Sequence, residues 1–172
     1  FMAVYEPRED SYLILKHVKE YAKGLVLDMG CGSGILGLEA LKKGCKVLCA
    51  DVDFGAVSFV KSKGLDAVES DLFVNVKGKF DLVMFNPPYL PYDSNEGYDA
   101  SLWNSGGLNG CEVLDKFLKD VVKYLNSDGK VLILFSSLSK MELGKHRKFS
   151  FKMVDNLKLA FEELFVYVGE LN

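Results

Sequence analysis

The chain has 172 residues, 49% of them hydrophobic, with 21 Lys and Arg set against 24 Asp and Glu for a formal net charge of -3. That is apolar material for one core and not for a second, so residues 1–172 read as a single domain. A slightly negative molecule has no global field to hold a nucleic-acid backbone, and no apolar run approaches the ~20 residues that a bilayer crossing needs, which argues against nucleic-acid and membrane partners.

Taken in chain order, the first predicted element is a helix over Asp10–Ala22, stopped upstream by Pro7, capped by Asp10 or Ser11, and carrying Ile14, Val18, Tyr21 and Ala22 on one face. Residues 1–24 would form a helical segment over a bound cofactor. A strand Leu25–Asp28 then runs into Gly30-Cys-Gly-Ser-Gly34 and a helix that Gly44 closes. Lys46–Asp51 reads as the second strand, Phe54–Lys63 as a helix, Asp66–Glu69 as a short third strand and Phe80–Asn86 as an apolar fourth.

The loop from Pro87 to Asn109 is longer than a compact domain usually tolerates and holds Tyr89, Tyr92, Tyr98 and Trp103, so substrate binding is expected there. A helix over Cys111–Leu125, a turn Asn126–Gly129 and a strand Val131–Phe135 follow. The tail reads as a basic, helix-like stretch Lys140–Lys148 and two strands, Phe149–Val154 and Glu163–Gly169, paired antiparallel. Strands alternating with helices predict an α/β fold, here a mostly parallel seven-stranded sheet ending in an antiparallel pair. The four cysteines lie in or beside apolar stretches with no paired metal-ligand spacing, which reads as reduced thiols, a reducing cytoplasmic compartment with the nucleus as a second one, and no metal.

Glycines between a strand and a helix let backbone approach a ligand. Gly32-Ser-Gly34-Ile-Leu-Gly37 followed by Asp51 satisfies a dinucleotide pattern, so nicotinamide binding is one reading. The other starts from Asp28, which completes Asp-x-Gly-x-Gly-x-Gly: a carboxylate there repels a pyrophosphate but suits the ammonium and sulfonium of S-adenosylmethionine. The plainer reading of Asp28 is a cap for the helix turn. Asp51 would accept both ribose hydroxyls and Asp53 would cap the next helix; Asp71 would accept from the adenine amino group, with Leu72 flanking the ring.

Asn86-Pro87-Pro88-Tyr89 at the carboxyl end of the fourth strand is the most specific motif. The Asn86 side-chain oxygen and the Pro87 carbonyl can each accept a hydrogen bond from one planar NH2 group, the prolines stiffen the segment, and Tyr89 can stack on the plane. Such a nitrogen is a poor nucleophile, so positioning and acceptors for developing positive charge supply the rate. His17 and His146 are expected to be ordinary helix-surface residues.

On four blocks the chain resembles the eukaryotic and archaeal glutamine methyltransferases of class 1 release factors, relatives of bacterial HemK: Val4-Tyr-Glu-Pro-Arg-Glu-Asp-Ser11, Asp28-Met-Gly-Cys-Gly-Ser-Gly34, Asn86-Pro-Pro-Tyr89, and Trp103-Asn-Ser-Gly-Gly-Leu-Asn-Gly110. The resemblance implies a Rossmann-like class I methyltransferase with S-adenosylmethionine as cofactor. Ser11, Asp28, Gly30, Gly32, Gly34, Asp51, Asp71, Leu72 and Asn86 would lie along the cofactor, and Asn86 to Tyr89 would hold the glutamine amide of a Gly-Gly-Gln motif. It also implies a small zinc-binding activator subunit as partner, the zinc belonging to that partner. The short third strand at a sheet edge is where a partner strand could add. Two departures accompany the resemblance: the helical domain of bacterial HemK is not among these residues, and the span from Ser136 to Phe149 is short for a crossover helix. Three other readings remain: an N6-adenine methyltransferase acting on DNA or RNA, a protein lysine methyltransferase, and a silent cofactor-binding scaffold.

Overall fold

The computed structural model describes residues 6–93 and 105–172. Helix α1 (Glu9–Tyr21) leads into β1 (Leu25–Met29), α2 (Ile35–Lys42), β2 (Lys46–Asp51), α3 (Phe54–Ser62), β3 (Asp66–Glu69) and β4 (Phe80–Phe85). After the loop come α4 (Glu112–Asp120), a 3-10 turn (Val121–Tyr124), β5 (Leu125–Ser136), a second 3-10 turn (Leu143–Lys145), β6 (Phe149–Lys158) and β7 (Glu163–Leu171). The seven strands lie in the order β3-β2-β1-β4-β5-β7-β6. β3, β2, β1, β4 and β5 pair in parallel, and β7 runs antiparallel between β5 and β6. The expected sheet and its antiparallel finish are both present.

Strand residues alternate between two cores because successive side chains leave opposite faces of a pleated strand. Val26, Leu82, Met84, Leu132 and Leu134 pack with α1 and α2 residues such as Ile14, Val18 and Leu36. Leu27, Met29, Val83, Phe85, Ile133 and Phe135 pack with Leu114, Phe117 and Leu118 of α4. Strands buried on both sides read as unbroken apolar runs, which is why β4 and β5 stand out in the sequence.

Strand order reverses between β1 and β4, whose crossover helices lie on opposite faces. The connections therefore diverge at the carboxyl ends of those two strands and leave a crevice there. The glycine turn after β1 and the Asn86 segment after β4 both open onto it.

Four expectations are corrected. The helix expected over Cys111–Leu125 stops at Asp120, tightens into the 3-10 turn, and gives way to β5 at Leu125. The expected Asn126–Gly129 turn is consequently part of β5: Leu125 pairs with Phe80 across a bulge, and the Asn126 amide donates to Asp81 at 2.8 Å. Between Ser136 and Phe149 the basic stretch forms only the short turn Leu143–Lys145, while β6 continues to Lys158, four residues beyond its expected end.

The third correction concerns α1. Its N-cap is Arg8, with no side-chain cap bond; Asp10 and Ser11 are buried in the first turn instead. The fourth concerns the histidines. His17 pairs with Asp155 at 3.0 Å, joining α1 to β6, and His146, only 9% exposed, bonds Asp115 of α4 at 2.7 Å. Their partners are 138 and 31 residues away, beyond the reach of helical spacing. The four cysteines are free and buried, as small apolar residues.

Phe117 anchors the second core, fully buried and stacked on Phe73 and tilted on Phe85 with ring centroids at 5.5 and 4.6 Å. Phe117→Ala is expected to lower unfolding free energy by about 3–5 kcal/mol, measured by urea denaturation.

Candidate active site

The crevice begins at the end of β1. Asp28 is 1% exposed, and its Oδ2 accepts from the backbone N–H of Gly37 at 2.8 Å, tying the end of the strand to the first turn of α2. Burial pushes this carboxyl up to about 8, opposed by the Gly37 bond and reinforced by the charge of Asp51. Above it, Gly30, Gly32 and Gly34 all have positive φ, at 59, 48 and 73°. A Cβ on Gly34 would lie 2.7 Å from Val60 Cγ1, so both the φ and the close approach of α3 require glycine there.

Asp51 closes β2. Its Oδ2 accepts from Gly32 N–H and its Oδ1 from Asp53 N–H, both at 2.9 Å, so one carboxylate fixes the glycine turn against the strand end. Burial is the main cause that raises its pKa, with the Asp53 charge adding to it. Each oxygen keeps a lone pair for a diol. Asp53 caps α3 through Gly55 N–H at 2.7 Å, as expected.

The segment after β3 is held to Asp51 by Ser70 N–H donating to the Asp51 carbonyl at 2.8 Å. The Ser70 hydroxyl donates to the Leu72 carbonyl at 2.7 Å and accepts from Asn75 N–H at 2.9 Å. Leu72 has φ 49°, the sole non-glycine residue with positive φ among the described residues. Backbone strain of this kind persists where surrounding structure imposes it and clusters at ligand sites. Asp71 stands exposed beside it, 3.5 Å from Lys116 of α4.

Asn86 follows β4 immediately. Its Nδ2 donates to Asp10 Oδ2 at 2.9 Å, and its Oδ1 is buried with no hydrogen-bond partner among the described residues. Pro87 is buried; Pro88 and Tyr89 are half-buried, and Tyr89 packs against both cores. Ser11, buried beside Asp10, donates weakly to its Oδ1 at 3.4 Å.

The sequence reading missed two parts of this site. Asp10 was read only as a helix cap, and only the fold turns its carboxylate onto Asn86. The glycines of the fourth resemblance block were not assigned a task, and they form a backing for the Asn-Pro-Pro-Tyr segment. Gly106 N–H donates to the Leu90 carbonyl and Tyr92 N–H to the Gly107 carbonyl, both at 2.9 Å. A Cβ on Gly106 would lie 2.6 Å from the Pro88 carbonyl oxygen, and one on Gly110 would lie 2.5 Å from that of Tyr89. The Glu112 carboxylate completes the backing by accepting from the N–H groups of Asn109 and Cys111. A signal existed: repeated glycines in a loop of this length mark close backbone approach. Tyr98 and Trp103, expected at the substrate, lie outside the described residues.

The donor set suits a cationic ligand. Asp28, Asp51 and Asp53 crowd one strand edge, and the raised pKa values of Asp28 and Asp51 register that repulsion together with burial. A sulfonium and an ammonium relieve it, whereas a pyrophosphate adds to it.

Residues 8–158 match the sequence profile of the methyltransferase small domain. A Methanocaldococcus jannaschii protein, whose provisional name is protein N5-glutamine methyltransferase, is 40% identical over 95% of this chain and 89% of its own length. Among solved structures, the E. cuniculi Mtq2-Trm112 complex, described as responsible for methylation of the translation termination factor eRF1, superposes with a TM-score of 0.79 at 26% identity, covering 98% of this chain and 99% of that one. The fold is shared with a T. thermophilus 16S rRNA N2 G1207 methyltransferase solved in complex with AdoMet and guanosine (TM-score 0.67, 22% identity), of which this chain spans 45%.

A buried carboxyl that prefers its proton has a pH signature. Because the folded-state pKa of Asp28 is raised to about 8, its contribution to stability is fully present below the ordinary carboxylate pKa and is lost as pH rises toward about 8. Unfolding free energy of the cofactor-free protein should therefore decline across that window, and Asp28→Asn should flatten the decline, as read from urea melts at several pH values.

Proposed function

The chain belongs to the methyltransferase small domain family, and from that premise we propose that it methylates the side-chain amide nitrogen of the glutamine in the Gly-Gly-Gln motif of a class 1 peptide-chain release factor. The observation that carries the reading is the buried Oδ1 of Asn86, an acceptor without a partner among the described residues, at the carboxyl end of β4. A glutamine amide offers two coplanar N–H groups, one for this oxygen and one for the Pro87 carbonyl.

S-adenosylmethionine, the cofactor of this class of enzymes, supplies a methyl group activated by its sulfonium. The chain's own residues do the rest. Asp51 offers a carboxylate for the ribose hydroxyls, and the turn carrying Gly30, Gly32 and Gly34 brings backbone close to the methionine half. Asp28 holds α2 in place behind it. Asp71 and Leu72 form the wall for the adenine, and Ser11 closes the cofactor side from α1. Asn86 Oδ1 and the Pro87 carbonyl hold the two amide hydrogens, fixing the nitrogen in their plane and stabilising the positive charge that develops as the methyl arrives. Pro88 stiffens the segment, and Tyr89 presents a ring face to the amide and excludes water. A planar clamp of this kind suits an amide better than the tetrahedral ammonium of lysine.

Two further points support the reading: the name carried by the M. jannaschii relative, and the reaction described for the E. cuniculi complex, each matched over nearly the whole chain. That complex supports a partner subunit, which we propose is a small activator with a structural zinc of its own. Among the described residues β3 pairs in the sheet only with β2, is four residues long, and leaves an edge where a partner strand can add. Co-purification tests this point: a chain that is fully active alone, with no gain from a partner, would count against it.

Incubation of a Gly-Gly-Gln release-factor domain with the chain, its partner and labelled cofactor should add one methyl group to the glutamine, located by mass spectrometry. Label appearing instead in adenine of an oligonucleotide would replace this reading with nucleic-acid methylation. Asn86→Ala should abolish transfer while calorimetric cofactor affinity stays within a few-fold; surviving turnover would sink the clamp. Asp51→Ala should weaken cofactor binding by about 1–3 kcal/mol, as expected for losing hydrogen bonds to a charged group.

A further inference from the structure

We propose that Asp10 is a positioning residue for methyl transfer, which sets the side-chain amide of Asn86 so that its oxygen faces the substrate, and that the docking of α1 is thereby part of the catalytic apparatus. The inference rests on the clamp described above and concerns what makes that clamp an acceptor.

An asparagine side chain is ambiguous by shape. Its oxygen and nitrogen are nearly isosteric, and a half-turn about its last torsion exchanges an acceptor for two donors. With nitrogen toward the crevice, Asn86 would face an incoming NH2 group with hydrogens and repel it. Among the described hydrogen bonds of the Asn86 amide, none comes from the Asn-Pro-Pro-Tyr segment itself. The neighbour at the other end of the amide decides between the two orientations.

That neighbour is Asp10. Its Oδ2 lies 2.9 Å from Asn86 Nδ2. A carboxylate only accepts, so it bonds nitrogen and rejects oxygen. The reversed rotamer would set Asn86 Oδ1 against Asp10 Oδ2 and would turn Nδ2 to the position where the oxygen now has no partner among the described residues. Both ends of the amide would lose by the exchange.

Asp10 is itself held. It is 5% exposed, and Ser11 donates to its second oxygen. It lies in the first turn of α1, where the helix dipole favours a negative charge. Immediately after it, Leu13 and Ile14, then Val18, are buried in the first core, and His17 ties the helix to Asp155 of β6. Asp10 therefore reaches β4 only when α1 is seated on the sheet. The α1 that borders the cofactor side of the crevice also orients the substrate clamp, so the two halves of the site are completed together.

The test compares Asp10→Ala, Asp10→Leu and Asp10→Asn in this chain. Asparagine at position 10 retains an oxygen that can accept from Asn86; alanine and leucine do not. Asp10→Ala and Asp10→Leu are expected to lower kcat by about 100-fold, the size of a misplaced reacting group, with a much smaller change in substrate KM and with cofactor affinity near wild type. Asp10→Asn should recover most of that loss. A purely structural role for Asp10 predicts instead that activity follows thermal stability across the three variants, whatever position 10 can accept.

A second readout is independent of turnover. In nitrogen-15 NMR spectra the Asn86 side-chain NH2, assigned by its disappearance in Asn86→Ala, should give two resolved, exchange-protected proton signals in the wild type. They should lose protection in Asp10→Leu and keep it in Asp10→Asn. Unchanged signals in Asp10→Leu, or an Asp10→Asn protein that folds but is as inactive as Asp10→Leu, would overturn the proposal. Wild-type protein that shows the signature but does not methylate the release-factor domain would refute the substrate assignment and leave this inference standing.

Discussion

The site depends on one topological constraint: β1 and β4 are hydrogen-bonded neighbours whose following helices cover opposite faces of the sheet. Parallel strands point all their carboxyl ends the same way, and where the connections part, backbone N–H and C=O groups at the strand ends face a crevice instead of another strand. The glycine turn that follows β1 and the Asn86 segment that follows β4 thus open side by side. Had both crossovers packed on one face, a helix would fill the space between those two strand ends.

Electrostatics then selects among ligands for that crevice. Asp51 at the end of β2 and Asp53 two residues later stand near the buried Asp28 of β1, the charge of Asp51 raising Asp28 and that of Asp53 raising Asp51. Burial first and the Asp51 charge second, against the Gly37 hydrogen bond, leave Asp28 pushed up to about 8. Such an arrangement is tense without a cation and relaxed with one, which is the reverse of a pyrophosphate site with the same glycine pattern. The strained backbone of Leu72 and the Ser70 hydroxyl that donates to its carbonyl belong to the same edge: they fold the chain after β3 back toward Asp51.

The side of the crevice after β4 is built by stiffness. Two prolines restrict the segment after β4, and the 105–110 strand of loop lies so close behind it that Gly106 and Gly110 have no room for a Cβ. Asp10, from a helix at the other end of the chain, fixes the remaining soft coordinate, the rotation of the Asn86 amide. A weak nucleophile gains its rate from placement, so rigid backing and a defined acceptor are the chemically appropriate investment.

What the amino-acid order alone determined is whatever depends on neighbours in the chain. The sheet is legible because alternating burial and unbroken apolar runs are local patterns, and the glycine turn, Asp51 and Asn86-Pro-Pro-Tyr89 are legible because each chemistry is written within a few consecutive residues. The same local view failed where tertiary pairing took over. Leu125 looked like the end of a helix until its pairing with Phe80 drew it into β5. His146 looked like surface and is buried on Asp115. Asp10 looked like a cap, and the fold carried it to Asn86 across 76 residues of sequence. A carboxylate's partner is set by where the packed helices and strands bring it, and no spacing along the chain encodes that distance.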